Sequence, residues 1–302
     1  MGTFREPSVY QESDDGSAYV FDRRGHSVYR LAPGADSAEQ LVQIGPEEGR
    51  IISASTLDLG AGGRFVVADA PEGRERVQLF ENDGTRLGSF RIPGRAAPRL
   101  TLGDWVLNGI GSLEFTGRAI LINQAESGGL ITLYSLNGYP YQTIGLFRAT
   151  GHESERDLHI ALNSGIPLAD PATGGYYFVF QGGRPAFRKY DRDGALVFER
   201  VVQGPEVDPI ANNLPAIWPE RTDERGRTLP VVPPNVRTAA LDQRGNLWIA
   251  LSVPYLYVYN PDGEKIRTVQ LEAAGLVLPS SLHFPDETRL LVAPGCYEFT
   301  VW

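Results

Sequence analysis

One unit recurs along this chain, and its period constrains the fold more than any other feature. The cleanest copy runs from Ala239 to Leu271, AALDQRGNLWIALSVPYLYVYNPDGEKIRTVQL. Thr238 to Asp242 fits a short buried strand, and Arg244-Gly245 breaks it. Leu247 to Leu251 is apolar around Trp248, with Ile249 β-branched, which suits a pleated and half-buried surface. From Tyr255 to Tyr259 the pattern alternates with period two, tyrosines on one side and Leu256 and Val258 on the other. Pro261-Asp262-Gly263 is a turn, because proline presets φ and glycine accepts positive φ. Ile266 to Leu271 closes a fourth strand. Four antiparallel strands within some thirty residues make one propeller blade.

The same register returns elsewhere. VQLFENDG ends at Gly84, ITLYSLNG at Gly138, FRKYDRDG at Gly194 and LYVYNPDG at Gly263. An aromatic stands four residues before each glycine: Phe80, Tyr134, Tyr190 and Tyr259. Each hairpin is preceded by another apolar strand, RFVVAD, RAILINQ, YYFVFQ or LWIALS. Two more copies flank these, SAYVFDRRGHSVYRL near the start and TRLLVAPGCYEFTVW at the end. Six copies of roughly 50 residues predict a single all-β domain over residues 1–302, a six-bladed β-propeller with four-stranded antiparallel blades. The last copy stops after its third strand, so Thr3-Phe4-Arg5 is expected to supply the fourth and close the ring, since propellers avoid open edges. Only Arg156 to Leu162 and Pro215 to Glu224 could hold a helical turn.

Charge and cysteine content narrow the function classes. A formal net charge of −9 opposes nucleic-acid binding, whose electrostatic term needs a basic face. The single cysteine, Cys296, excludes an internal disulfide and reads as a packed thiol, with no paired base nearby. No apolar run approaches the roughly 18 residues of a membrane span. No signal-peptide pattern is present, although the start at Met1-Gly2-Thr3 also suits an exported chain whose signal has been removed.

The connections between blades are unequal. Pro93 to Leu107, Ala149 to Asp157 and Gly204 to Asn235 are long. The last far exceeds an ordinary loop and carries Ile210, Leu214, Ile217 and Trp218, so it is expected to pack, as a lid over the ring. In a four-stranded antiparallel blade, the blade-to-blade connection and the loop between second and third strands share one face. The long insertions therefore share a face with His26, Glu72, Glu126, Arg184 and Tyr255. Function on a rigid β scaffold concentrates in such loops.

Several groups on this face are candidates. His26 and His159 could act as general bases, because an unperturbed imidazole titrates near neutrality. His152-Glu153 and His159 are spaced too widely for a zinc helix and read as a polar loop. His283, inside the last inner strand, suits a packing role. Arg50 and Arg237, with Asn235, could clamp an anion, since guanidinium fits carboxylate or phosphate bidentately; structural arginines are the competing reading. Trp218 and Tyr255 are candidate aromatic anchors for a ligand. The Asp-Gly turns lack the spaced ligand series of a calcium loop. Leu59-Gly60-Ala61-Gly62-Gly63 precedes a strand and so cannot cradle phosphate at a helix start.

VADAPEGRERVQLFENDG at Val67 to Gly84, YVFDRRGHSVYRL at Tyr19 to Leu31 and LDQRGNLWIAL at Leu241 to Leu251 resemble the blades of NHL-repeat and SMP-30-like propellers, with Asp22 in the place of Asp69. The resemblance covers five of the six copies, and its motifs mark strand starts and turns. It implies either a binding module or a metal-dependent hydrolase such as a lactonase, with calcium on the central axis. Glu6, Asn108 and Asn163, beside Asn235, stand nearest to that ligand set; the Glu-Gly-Pro signature of those enzymes is absent. Two functions are thus expected: recognition of a protein or small ligand on the loop-rich face, or calcium-assisted hydrolysis at the central channel.

Overall fold

The computed structural model describes residues 4–92, 100–102, 105–107, 112–123, 128–222, 226 and 228–301. Six antiparallel sheets follow one another around a ring. Blade one comprises β1 (Pro7–Glu12), β2 (Ala18–Asp22), β3 (Ser27–Leu31) and β4 (Glu39–Val42), and blade two β5 (Thr56–Leu59), β6 (Phe65–Asp69), β7 (Arg76–Phe80) and β8 (Arg86–Arg91). A hairpin of β9 (Leu100–Leu102) and β10 (Trp105–Leu107) lies in the next connection. Blade three contains β11 (Leu113–Phe115), β12 (Ile120–Ile122), β13 (Gly129–Tyr134) and β14 (Pro140–Leu146). After helix α1 (Arg156–Leu162), blade four contains β15 (Gly165–Ala169), β16 (Tyr176–Phe180), β17 (Ala186–Tyr190) and β18 (Leu196–Val201). The long insertion adds helix α2 (Asp208–Asn212) and a hairpin of β19 (Glu220–Thr222) and β20 (Thr228–Pro230). Blade five is β21 (Val236–Leu241), β22 (Leu247–Leu251), β23 (Leu256–Tyr259) and β24 (Lys265–Val269). Blade six is β25 (Ser281–His283), β26 (Arg289–Ala293) and β27 (Tyr297–Thr300). Among the described residues, no helix is long and apolar enough to cross a membrane.

The aromatic–glycine register has a physical cause. In each of the four hairpins the strand pairing slips by one residue at the aromatic, as at Leu79/Phe80 and Val258/Tyr259. That bulge turns Phe80, Tyr134, Tyr190 and Tyr259 into the buried layer. The turn glycine must then take positive φ, +84° at Gly84 and +79° at Gly263. It also lies against the outer strand of the preceding blade. A Cβ on Gly263 would come within 2.8 Å of Phe198 in β18.

The recurrent aspartates are structural. Asp22 accepts the amides of Arg5 (2.8 Å) and Glu6 (2.9 Å), and Asp69 accepts that of Ile52 (3.1 Å), so each ties the end of its second strand to the chain approaching the first. Asp69 also holds a buried bidentate pair with Arg76, at 2.9 and 2.6 Å. Asp242 gathers the amides of Arg244 and Asn246, the Asn246 carboxamide and the Trp248 indole, all at 2.9 Å, which explains the Asp-x-x-Gly-Asn-Leu-Trp spacing.

Apolar clusters join blades one and two, two and three, three and four, four and five, and five and six. Blade six meets blade one differently, and here two expectations are corrected. Blade six has three strands among the described residues. Phe4 and Arg5 do not extend it: the Phe4 ring packs edge-on against Tyr29 of blade one at 5.2 Å, and Arg5 is held by Asp22; Thr3 lies outside the described residues. The seam is closed by polar contacts instead. Ser280 Oγ donates to the Ser8 carbonyl (3.0 Å), the Tyr10 amide donates to Ser281 Oγ (3.3 Å), His283 Nε2 meets the Glu12 carbonyl (3.0 Å), and Arg289 forks onto Glu12 at 3.0 and 2.6 Å. The second correction concerns Pro215 to Glu224. The Arg156 to Leu162 helix forms, whereas helix α2 forms upstream at Asp208–Asn212, with Pro209 in its first turn. Pro219 would fall inside a helix over 215–224, removing an amide donor and clashing with the preceding turn.

Candidate functional site: the axial cavity and the loop-rich face

The six inner strands line an axial cavity of about 240 Å³. Two carboxyls face it from neighbouring blades, Asp58 on β5 and Glu114 on β11. Each sits between two apolar residues, so strand alternation turns it towards the axis while its neighbours pack between blades. Gln11 Nε2 donates to Asp58 at 2.7 Å, and the Phe115 amide donates to its other oxygen at 2.6 Å. Burial pushes the Asp58 carboxyl up to about 6 against those hydrogen bonds. Glu114 is pushed well above its ordinary value, first by burial and then by the Asp58 charge. Both carboxyls are therefore held protonated to higher pH than exposed carboxyls would be. Across the cavity stands Arg237 of β21, on the residue where the strand bulges between Val236 and Thr238; its Nε donates to the Pro279 carbonyl at 3.1 Å. Burial lowers its pKa.

On the loop-rich face the insertions fold into a second wall. Leu158, Ala161 and Leu162 of α1 pack with Trp218 and Val232 of the 204–235 insertion, and with Leu214 at their edge. Asn163 ends α1: its Oδ1 accepts the Arg148 amide at 2.9 Å and its Nδ2 donates to the His159 carbonyl at 3.0 Å. Asn235 fastens the far end, its amide donating to the Gln181 carbonyl at 2.7 Å and its carboxamide to the Gly183 carbonyl. Two open grooves result. One, of about 680 Å³, runs between blade four and the insertion and is lined by Arg148, Arg184, Arg188, Val201, Leu214 and Trp218. The other, of about 840 Å³, lies between α1 and the insertion, with Ile217 on its rim 88% exposed.

Arg148 anchors the first groove. Its guanidinium donates to the carbonyls of Arg184 (2.7 Å), Gly182 (2.7 Å) and Leu162 (3.2 Å) and lies 4.1 Å over the Phe180 ring. Burial lowers its pKa to about 10, so it stays cationic at neutral pH. Arg188 pairs with Glu199 at 2.6 Å, and Arg184 is exposed.

The residues singled out from sequence are dispersed over this frame. His26 lies in the loop between β2 and β3 of blade one, and His159 lies on helix α1 before blade four. His26 takes a φ of +47°; its Nδ1 is buried without a hydrogen bond among the described residues, and burial lowers its pKa against the raising effect of Asp22 and Asp69. His159 Nδ1 meets Thr150 Oγ1 at 2.7 Å, and its ring packs edge-on to Phe147. Arg237 lines the axial cavity, but Arg50 is exposed on the connection between blades one and two, where its carbonyl accepts from Arg76 and Gln78; Asn235 is spent on Gly183. The anion clamp is therefore not assembled. Trp218 is only 9% exposed and packs inward while edging both grooves. Tyr255 is half-buried against the core between blades four and five. Cys296 is half-buried, and burial pushes its thiol up to about 11.

The described members of the calcium ligand set already have partners. Glu6 is ion-paired with Arg23, Asn163 and Asn235 are spent on backbone groups, and Asn108 lies outside the described residues, as does Glu126. Among the described residues, no three His, Cys, Asp or Glu side chains converge to hold an ion. Asp58, Glu114 and Arg148 escaped the sequence reading. For the two acids a signal existed: a lone carboxylate between apolar neighbours, Leu57-Asp58-Leu59 and Leu113-Glu114-Phe115, in a strand that must line the axis.

No protein-family model and no curated protein matches this chain. Solved structures do resemble it. A streptogramin B lyase is 13% identical with a TM-score of 0.53, over 97% of this chain and 92% of that one. A catalytically inactive virginiamycin B lyase from Staphylococcus aureus with quinupristin is 11% identical with a TM-score of 0.54, over 97% and 93%. A chain of the mitotic checkpoint complex is 12% identical with a TM-score of 0.56, over 99% and 89%. Such likeness shows the propeller fold alone.

Proposed function

We propose that this protein is a recognition module whose loop-rich face, at blade four, binds a protein segment or a small ligand. One observation carries the reading: the connections that exceed ordinary length, around α1 and over 204–235, pack on each other through the cluster at Trp218 and leave an open groove on either side. Loops held by a rigid scaffold are where binding concentrates. An NHL or SMP-30-like assignment belongs with this reading and rests on the strand, aspartate and turn pattern. One of the fold neighbours is a chain of a protein complex, in keeping with a propeller used as a binding scaffold. The test is selection of binders from a displayed random-peptide library, against the whole protein and against a variant in which residues 205–234 are replaced by a short Gly-Ser bridge. Binders that require the insertion support the reading. Selection that yields no binders, or binders indifferent to the replacement, refutes it.

A second reading, hydrolysis in the axial cavity, is favoured by the Asp58–Glu114 pair, because a carboxyl held at about 6 is matched to general acid–base work near neutrality. Turnover of lactone, ester and phosphotriester substrates that is lost in Asp58→Asn would support it. A calcium contribution would appear as a melting temperature that rises with added calcium; a flat titration removes the ion from this reading.

A further inference from the structure

The groove between blade four and the insertion is basic on a protein that is acidic. The chain carries a net charge of −9, yet Arg148, Arg184 and Arg188 converge here against the single carboxylate of Glu199. Arg188 takes that carboxylate at 2.6 Å. Arg148 is satisfied only by neutral carbonyls and an aromatic face, so its hydrogen bonds are made while its charge is not neutralised by a direct partner. Arg184 forms no ion pair among the described residues, and its side chain is exposed beside Gly183, which holds a positive φ of +66°. Two guanidinium charges are thus left over. Beside them runs an apolar strip, Val201, Leu214 and Trp218.

Resting on the recognition reading above, we propose that this groove binds an extended acidic peptide segment in which carboxylates alternate with aliphatic side chains. Charge complementarity selects the partner: guanidinium groups prefer carboxylates, in geometry and in energy, over neutral or basic groups. An extended chain places successive side chains on opposite sides, so one row meets Arg148 and Arg184 while the other covers the apolar strip. Among the described residues, the second groove on this face does not combine uncompensated positive charge with its apolar lining. The second groove mixes Arg156 with Glu155, Asp157 and Glu220.

The probes are three fluorescein-labelled peptides, Leu-Glu-Leu-Glu-Leu, Leu-Gln-Leu-Gln-Leu and Leu-Lys-Leu-Lys-Leu, titrated with the whole protein at low salt and followed by fluorescence polarisation. The acidic peptide is expected to bind saturably, and the other two not. Arg184→Glu should weaken it about tenfold with an unchanged melting temperature, because it reverses an exposed charge at the groove. Arg244→Glu, the same charge change on the opposite face, should leave binding unaltered. Raising salt to about 0.5 M should weaken binding several-fold. Absence of saturable binding by the acidic peptide, equal binding of the glutamine or lysine peptide, or indifference to Arg184→Glu overturns the proposal. The recognition reading fails separately: if the library yields neutral or basic peptides that need the insertion, the acidic assignment falls and recognition stands.

Discussion

Replacing Asp69 with alanine should destabilise the protein by about 3–5 kcal/mol, the cost of leaving a buried charge without its partner. Asp69 and Arg76 are essentially fully buried, and the guanidinium holds both carboxylate oxygens at 2.9 and 2.6 Å. The remaining Arg76 donors reach the carbonyls of Pro46 and Arg50, each at 3.0 Å, so the side chain cannot swing to solvent without breaking the blade one–two connection. With an unfolding entropy of about 2 cal/mol/K per residue, a cooperative chain of 302 residues loses about 1.6 °C per kcal/mol, so the melting temperature should fall by about 5–8 °C. Differential scanning calorimetry reads this directly. The double variant Asp69→Leu/Arg76→Met removes both charges and should recover most of the loss, since apolar replacement of a buried pair is close to neutral. Asp22 occupies the same motif position in blade one but accepts only backbone amides, from Arg5, Glu6 and Gly25, so Asp22→Ala should cost less, about 1–3 kcal/mol. A melting shift below about 1 °C for Asp69→Ala, or a double variant as unstable as the single, would refute the reasoning.

Three further perturbations test other parts of the fold. Asp58 is held at about 6 in the folded state, above the roughly 3.9 of an unfolded chain, so the native protein binds the extra proton and this group favours folding at low pH. That contribution is full below about pH 4 and lost as pH rises through about 6, a swing of about 3 kcal/mol, so Asp58→Asn should gain on the parent in urea midpoint across that window; a constant gap between the two proteins would sink the assignment. At the ring seam, Glu12→Gln removes a partly exposed pair worth about 1 kcal/mol after solvent screening, and amide exchange should quicken in β25 and β26 while blades two to five keep their protection; uniform acceleration would contradict a local seam. Trp218→Ala should cost the insertion about 3 kcal/mol and raise protease cleavage within 204–235, with the main melting transition in place; a shift of that transition would mean the insertion is part of the ring's cooperative unit.

Blade number, the strand boundaries of blades one, two and five, and the α1 helix are legible in the sequence because period-two alternation and turn chemistry are local signals. LWIALS and LYVYNPDG each state a strand and its stop without reference to the rest of the chain. What escaped depends on contacts far apart in sequence. The seam pairs Glu12 with Arg289, and nothing near either residue marks the other. The groove charge depends on Arg148, Arg184 and Arg188 arriving from a connection, a loop and a strand. Asn163 and Asn235 show the reverse failure. As polar residues at strand starts they resemble ligands, yet each is consumed by backbone groups that the insertions would otherwise leave unsatisfied in the interior. The axial acids fall between these cases, since alternation predicts their direction but not that two adjacent blades place them side by side.

The position of the seam bears on how the recognition face can work. In a six-membered ring blade four stands opposite blade one, so the grooves lie across the axis from the only junction that polar contacts, and no apolar cluster, hold together among the described residues. Polar junctions exchange their partners for water more readily than apolar ones, so local opening starts at the seam. Blade four is flanked on both sides by apolar clusters, one shared with blade three and one with blade five. Opening at the seam therefore leaves Arg148, Arg184 and Trp218 in place, and a ligand on the loop-rich face should protect the amides of α1 and the insertion without slowing exchange in β25–β27. Coupled protection of both regions would mean that the ring transmits strain around its circumference, and that the grooves and the seam respond to a ligand as one unit.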